Sequence, residues 1–142
     1  MTLKYLLLTC LISLSLLAPT PIVSSTLTSG PDYSQICLAR TVYYEARGEP
    51  LKGQLAVAKV VLNRVAKSNG KYSVCDIVYQ PHQFTWTKYK YKKSYDDKSL
   101  DVANLVLKDK NVLKNFNATS FSRYKNLKLT HVAQIGQHTF YK

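Results

Sequence analysis

Apolar residues recur at helical spacing through Ile36, Ala39, Val42, Tyr43 and Ala46, which predicts a first helix over about residues 33–46. Asp32, followed three residues later by Gln35, reads as a capping box at its start. Gly48 and Pro50 end it, and Pro50 also suits the opening of the next helix. That second helix, over about 51–67, has the strongest pattern in the chain. Leu55, Ala58, Leu62 and Val65 form one stripe, Val57 and Val61 widen it, and Ala56 and Val60 are apolar as well. A helix apolar around most of its circumference is a central core helix. Asn69-Gly70 stops it.

Ser73 is placed to cap a short helix over Val74–Tyr79, which Pro81 prevents from continuing. Residues 82–86, HQFTW, read as an extended loop or short strand. KYKYKKSYDDK at 88–98 offers no apolar face and reads as a surface loop or edge hairpin. Leu100, Ala103 and Leu107 predict a third long helix over about 99–109, with Val112, Leu113 and Phe116 as a candidate continuation. After Asn117 the period becomes two. Val132 and Ile135, then Gly136-Gln137 and His138–Tyr141, predict a terminal hairpin. The expected architecture is α+β: a mainly helical single domain with a small antiparallel sheet.

The N-terminus changes the domain count. Lys4 precedes LLLTCLISLSLLA, an uncharged run too short to span a bilayer as a helix but suited to the apolar region of a secretory signal peptide. Cleavage after Ser25 is expected, since Pro19 follows Ala18; a lipid-modified Cys10 and an uncleaved anchor are the alternatives. Residues 1–25 are thus read as a signal peptide, 26–31 as a linker and 32–142 as the folded domain, with export to the periplasm, cell wall or medium. Cys37 and Cys75 remain after cleavage, as a disulfide or as two buried thiols. Lys and Arg outnumber Asp and Glu by twelve, and loss of Lys4 leaves +11. For an exported protein the expected partners of that charge are anionic cell-envelope polymers, with no nucleic acid and a monomeric state.

Candidate chemistry centres on Glu45. The only two glutamates, Glu45 and Glu49, sit in EARGE behind Tyr43 and Tyr44. Apolar walls raise a carboxyl pKa, as a general acid near neutral pH requires. Gly48 and Pro50 argue against both glutamates sharing one helix face, so Glu49 is read as structural, paired with Arg47 or capping the next helix. Asn63 and Arg64 are read as pinning neighbouring loops, and His138 as structural. His82, His131 and His138 have no helix-spaced pair and make a poor zinc set, so neither a metal nor any other cofactor is expected.

LARTVYYEARGEPLKGQLAVAKVVLNRV followed by VCDIVYQPHQFTW resembles the SleB/CwlJ-type cell-wall hydrolases, the family that includes spore-cortex-lytic enzymes. The likeness is strong over about residues 36–87 and resumes weakly at NATSFSRY and IGQHTFY. It implies a lysozyme-like domain acting on peptidoglycan glycan strands, with Glu45 as the catalytic acid of a lytic transglycosylase. It also favours pairing of Cys37 with Cys75. Tyr44, Tyr79, Gln80, Gln83, Phe84 and Trp86 become candidate sugar contacts, with Trp86 equally suited to the core. Where relatives carry an Ala-Thr-His-Tyr type segment and a Pro-Trp pair, this chain has ATSFSRY, with Tyr124 expected to fill part of the space. The competing readings are a hydrolytic muramidase, a zinc amidase and a non-catalytic cationic wall-binding protein.

Overall fold

Four α-helices and a three-stranded sheet make up the computed structural model, which describes residues 30–89 and 94–142. The expected signal peptide, residues 26–29 of the expected linker and residues 90–93 of the Lys/Tyr-rich segment lie outside the described residues. In chain order the elements are α1 (Tyr33–Ala46), α2 (Leu51–Lys67), α3 (Val74–Tyr79), a 3₁₀ turn (Thr85–Lys88), α4 (Asp97–Lys108), β1 (Ser120–Ser122), β2 (His131–Ile135) and β3 (His138–Tyr141). The sheet is antiparallel in the order β1-β3-β2.

Local chemistry sets the helix starts. The Asp32 carboxylate accepts the Gln35 N–H at 2.8 Å while the Gln35 side chain accepts the Asp32 N–H at 2.6 Å, the reciprocal box expected for α1. Ser73 and Asp76 repeat it at α3. Pro50 occupies the N-cap of α2. At the far end of α2, Asn69 and Gly70 take positive φ angles of 51° and 81°, a left-handed turn that only Gly and Asn adopt cheaply.

The helix α2 is apolar nearly all round because it is buried on two sides. One side joins Leu38, Val42, Val78 and Ala103 in the core shared with α1, α3 and α4. The other side carries Ala56, Val57 and Val60 onto Phe140 and Ala118, beneath the sheet. A disulfide joins Cys37 of α1 to Cys75 of α3 across a Cα–Cα distance of 5.4 Å. Closing a loop of 38 residues contributes about 4 kcal/mol in the chain-entropy account.

Three expectations are corrected. The helix placed at 99–109 begins at Asp97 because the Asp96 carboxylate caps it, accepting the Ser99 N–H at 2.8 Å. Its expected continuation through Val112, Leu113 and Phe116 is a run of turns, with Leu113 at φ 50° and Phe116 edge-on to Phe140 at 5.2 Å; Leu113 and Phe116 pack beneath the sheet instead, while Val112 packs against the helical core. HQFTW is neither strand nor plain loop, since Thr85 and Trp86 enter the 3₁₀ turn. The strand β1 was not foreseen: a three-residue strand is too short to show a period.

Candidate active site

Glu45 lies in the last turn of α1, half-buried, on the wall of a cavity of about 180 Å³. The other walls are Arg64 from α2, Gln83, Phe84 and Thr85 around the 3₁₀ turn, and Phe121 from β1. A second hollow of about 430 Å³ shares Arg64 and Gln83 with the first and adds Gln80 and Tyr72. Roomier than the first cavity, a hollow of about 370 Å³ on the loop and strands that precede the C-terminus has no carboxyl in its lining, so the acid–base chemistry belongs to the smaller cavity.

Burial is the main influence on the Glu45 carboxyl and pushes its pKa above the ordinary 4.5; the Trp86 indole N–H and the Arg123 charge oppose this. The buried indole nitrogen closes no hydrogen bond of good geometry, so its effect on the carboxylate is one of proximity. Among the described residues no other carboxyl lines the cavity. A half-buried acid held toward its neutral form, with a donor and a cation nearby, can give its proton to a substrate and is then stabilised as the anion.

Behind Glu45 the aromatic side chains form a stack. The Tyr44 ring lies on Trp86 at 4.8 Å and 17° between planes. Tyr79 meets Trp86 edge-on at 6.1 Å, and Phe84 lies beside it at 6.1 Å. Trp86 is 9% exposed and Phe84 4%, so neither offers a free ring face as a sugar platform. Of the two settings expected for Trp86, the stack under Tyr44 is the core one. Phe84 nonetheless lines the cavity.

Arg64 is a hub. Its Nε donates to the Thr119 carbonyl at 2.6 Å, its Nη1 to the Gln83 side-chain oxygen at 2.7 Å, and its guanidinium sits 5.7 Å from the Phe84 ring centre. Asn63 donates to the carbonyls of Phe116 and Ala118 at 2.9 and 2.8 Å. Both residues pin the chain before β1, as expected, and Arg64 also faces the cavity. The structure therefore groups Glu45, Gln83 and Phe84 directly, places Gln80 in the adjoining hollow, and sets Tyr44, Tyr79 and Trp86 behind. Tyr124, expected on the substrate wall, is 83% exposed in the loop after β1 and lines neither hollow. Thr85, Phe121 and Arg123 were missed. Nothing in the local pattern marks a three-residue strand as a cleft wall.

Glu49 faces elsewhere. Its Oε2 accepts the Gln137 N–H at 2.9 Å, and its Oε1 lies 3.7 Å from His138 Nδ1. Burial holds the His138 imidazole below its usual range, the Glu49 charge acting against this and the Arg123 charge with it. The expected pairing of Glu49 with Arg47 does not occur; the Arg47 guanidinium sits 4.8 Å from the Tyr43 ring centre. Glu49 thus ties the turn after α1 to the β2–β3 turn. Among the described residues no three His, Cys, Asp or Glu side chains cluster as metal ligands.

A protein-family model described as Cell Wall Hydrolase matches residues 48–141. This chain belongs to the cell wall hydrolase family. The match begins just past Glu45, so the case for that residue rests on the geometry above. Among curated members, the spore cortex-lytic enzyme of Oceanobacillus iheyensis is 33% identical over 112 residues, 74% of this chain and 40% of that enzyme. The Bacillus subtilis spore cortex-lytic enzyme is 48% identical over 48 residues, 34% of this chain and 16% of that enzyme. The chain therefore spans well under half the length of these relatives. Among solved structures it is similar to the catalytic domain of the germination-specific lytic transglycosylase SleB from Bacillus anthracis, at TM-score 0.59 and 25% identity over 80% of this chain and 98% of that one. The Bacillus cereus SleB catalytic domain gives 0.58 and 26%, over 80% and 93%. The lysozyme-like α+β fold is that of these catalytic domains.

Proposed function

We propose that this cell wall hydrolase cleaves the peptidoglycan glycan strand between N-acetylmuramic acid and N-acetylglucosamine as a lytic transglycosylase, with Glu45 as its one catalytic carboxyl. The observation that carries the reading is a single half-buried carboxyl of raised pKa in the cavity between α1, α2 and β1. The likeness to the SleB catalytic domains supports it. Residues 32–142 are the catalytic domain in this reading. The leader exports the chain, and the net charge of +11 that remains after loss of Lys4 holds it near anionic envelope polymers as a monomer.

Most glycosidases use two carboxyl groups, separated by about 5 to 9.5 Å according to stereochemical outcome. One suffices when the substrate supplies the nucleophile. Protonated Glu45 gives its proton to the glycosidic oxygen as the bond to the muramic acid C1 breaks. The resulting carboxylate takes the proton of the C6 hydroxyl on the same sugar, whose oxygen bonds to C1 and closes a 1,6-anhydro ring. Glu45 ends protonated, and no water is consumed. An internal hydroxyl already in place makes this ring closure a favourable unimolecular step. The Gln83 amide and Thr85 hydroxyl are the polar groups available to hold the sugar's acetamido and hydroxyl groups.

Muropeptide mass spectrometry of digested sacculi tests this. Wild type should yield anhydro-muropeptides. Glu45→Gln should lower cleavage by about three orders of magnitude while wall binding persists. Reducing ends in place of anhydro ends would make the enzyme a hydrolytic muramidase. Full activity of Glu45→Gln would remove Glu45 from the mechanism.

A further inference from the structure

The loop between β1 and β2 is poorly explained by glycan cleavage. From Lys110 to Lys142 the chain carries six Lys or Arg residues and no Asp or Glu, and three of those cations, Arg123, Lys125 and Lys128, fall in this loop. Leu127 is 94% exposed, Tyr124 83% and Leu129 41%. Such exposure in a frayed loop would mean little. Here the backbone is held. The Tyr141 hydroxyl accepts the Asn126 N–H at 2.8 Å and donates to the Tyr124 carbonyl at 3.4 Å. The Asn126 side chain accepts the Lys128 N–H at 3.0 Å, the Ser122 hydroxyl accepts the Tyr124 N–H at 3.0 Å, and the Thr130 carbonyl accepts the Lys142 N–H at 2.9 Å. Beside the loop is the hollow of about 370 Å³ that Leu127, Leu129 and Lys125 help to line.

We propose that residues 123–130 are a docking loop for an anionic lipid surface, with Leu127 and Leu129 entering the headgroup–acyl boundary and Arg123, Lys125 and Lys128 meeting lipid phosphates. Charge complementarity commits the loop to an anionic partner, and the leucines distinguish a lipid from a hydrophilic polyanion. A wall polymer rewards the cations but gives nothing for apolar side chains held in water, whereas a bilayer interface rewards both. Arg123 also acts on the Glu45 carboxyl, and Phe121, two residues earlier, is a wall of its cavity. A docked molecule therefore has its cleft next to the lipid surface. Docking does not depend on the glycan chemistry proposed above.

The test uses the full chain and vesicles without wall material. Leu127→Trp places an indole at the loop tip, while buried Trp86 supplies a constant background. With vesicles of equal phosphatidylglycerol and phosphatidylcholine, its emission should shift to the blue and be quenched by brominated acyl chains. Leu127→Asn/Leu129→Asn should bind the same vesicles about tenfold more weakly, with an unchanged circular dichroism spectrum. Binding to phosphatidylcholine alone should be weaker by at least about tenfold. The leader and the rest of the charge are common to every variant, so differences report the loop. The proposal is overturned if the indole neither shifts nor is quenched, or if the double variant binds as wild type does. It is also overturned if poly(glycerol phosphate), which has no acyl chains, binds wild type and the double variant equally and displaces both from vesicles; a wall polymer would then be the partner.

Discussion

The protonation state of Glu45 is the residue-scale variable on which the proposed chemistry turns. Burial raises its pKa and the Arg123 charge lowers it. Proton donation is lost as pH rises through that raised value, so Glu45 sets the alkaline limb of the activity profile. Removing the cation in Arg123→Gln should move that limb to higher pH. Arg123 is exposed, so the two profiles should converge as salt screens it. The same burial has a cost in stability. A carboxyl whose pKa is higher folded than unfolded lends its full stability only below the unfolded value, near 4.5, and that contribution is lost as pH rises through the folded value. Glu45→Gln should therefore melt at a higher temperature than wild type at pH 7, and the difference should vanish below about pH 4. A calorimetric series across that range measures it. The role of Glu45 was suggested by aromatic neighbours and by resemblance, and its half-buried setting agrees with that reading. Tyr44, Trp86 and Phe84 were legible as aromatic but not as a stack, because ring orientation depends on how α1 meets the 3₁₀ turn.

Between elements, Glu49 decides where the hairpin sits. It accepts the Gln137 N–H and lies beneath Gly136, whose φ of 58° falls in the left-handed region and where an added Cβ would collide with the Glu49 carboxylate. Glu49→Ala removes the acceptor of the part-buried Gln137 N–H bond and should cost about 1 kcal/mol. Gly136→Ala combines backbone strain with the collision and should cost at least as much. Urea unfolding of the two variants checks both values. Because β3 pairs with β1 and β1 carries Phe121 of the cavity wall, either change should also lower activity. The sequence marked Glu49 as structural and Gly136-Gln137 as a turn. It did not connect them, since their 88-residue separation leaves no trace in local periodicity.

Across the whole molecule, one helix holds two halves together. The helix α2 packs α1 and α4 on one side and the sheet on the other, and the Cys37–Cys75 bridge fastens α3 to α1. Replacing both cysteines by serine should lower stability by about 4 kcal/mol, read from denaturation with and without reductant; reductant should affect wild type and leave the double variant unchanged. Cleavage by the folded double variant should persist, since neither cysteine lines the cavity.

The sequence by itself determined the helices α1, α2 and α3, their caps and the terminal hairpin, because those depend on residues a few positions apart and on a period that local packing imposes. It also determined which helix is central, since only burial on two sides tolerates an apolar circumference. Tertiary structure alone decided that Phe121 and Arg64 share a cavity with Glu45, that Glu49 faces the hairpin, and that Trp86 is stacked under Tyr44. Those outcomes depend on the direction of side chains brought together from distant segments, and direction is fixed only when the elements pack.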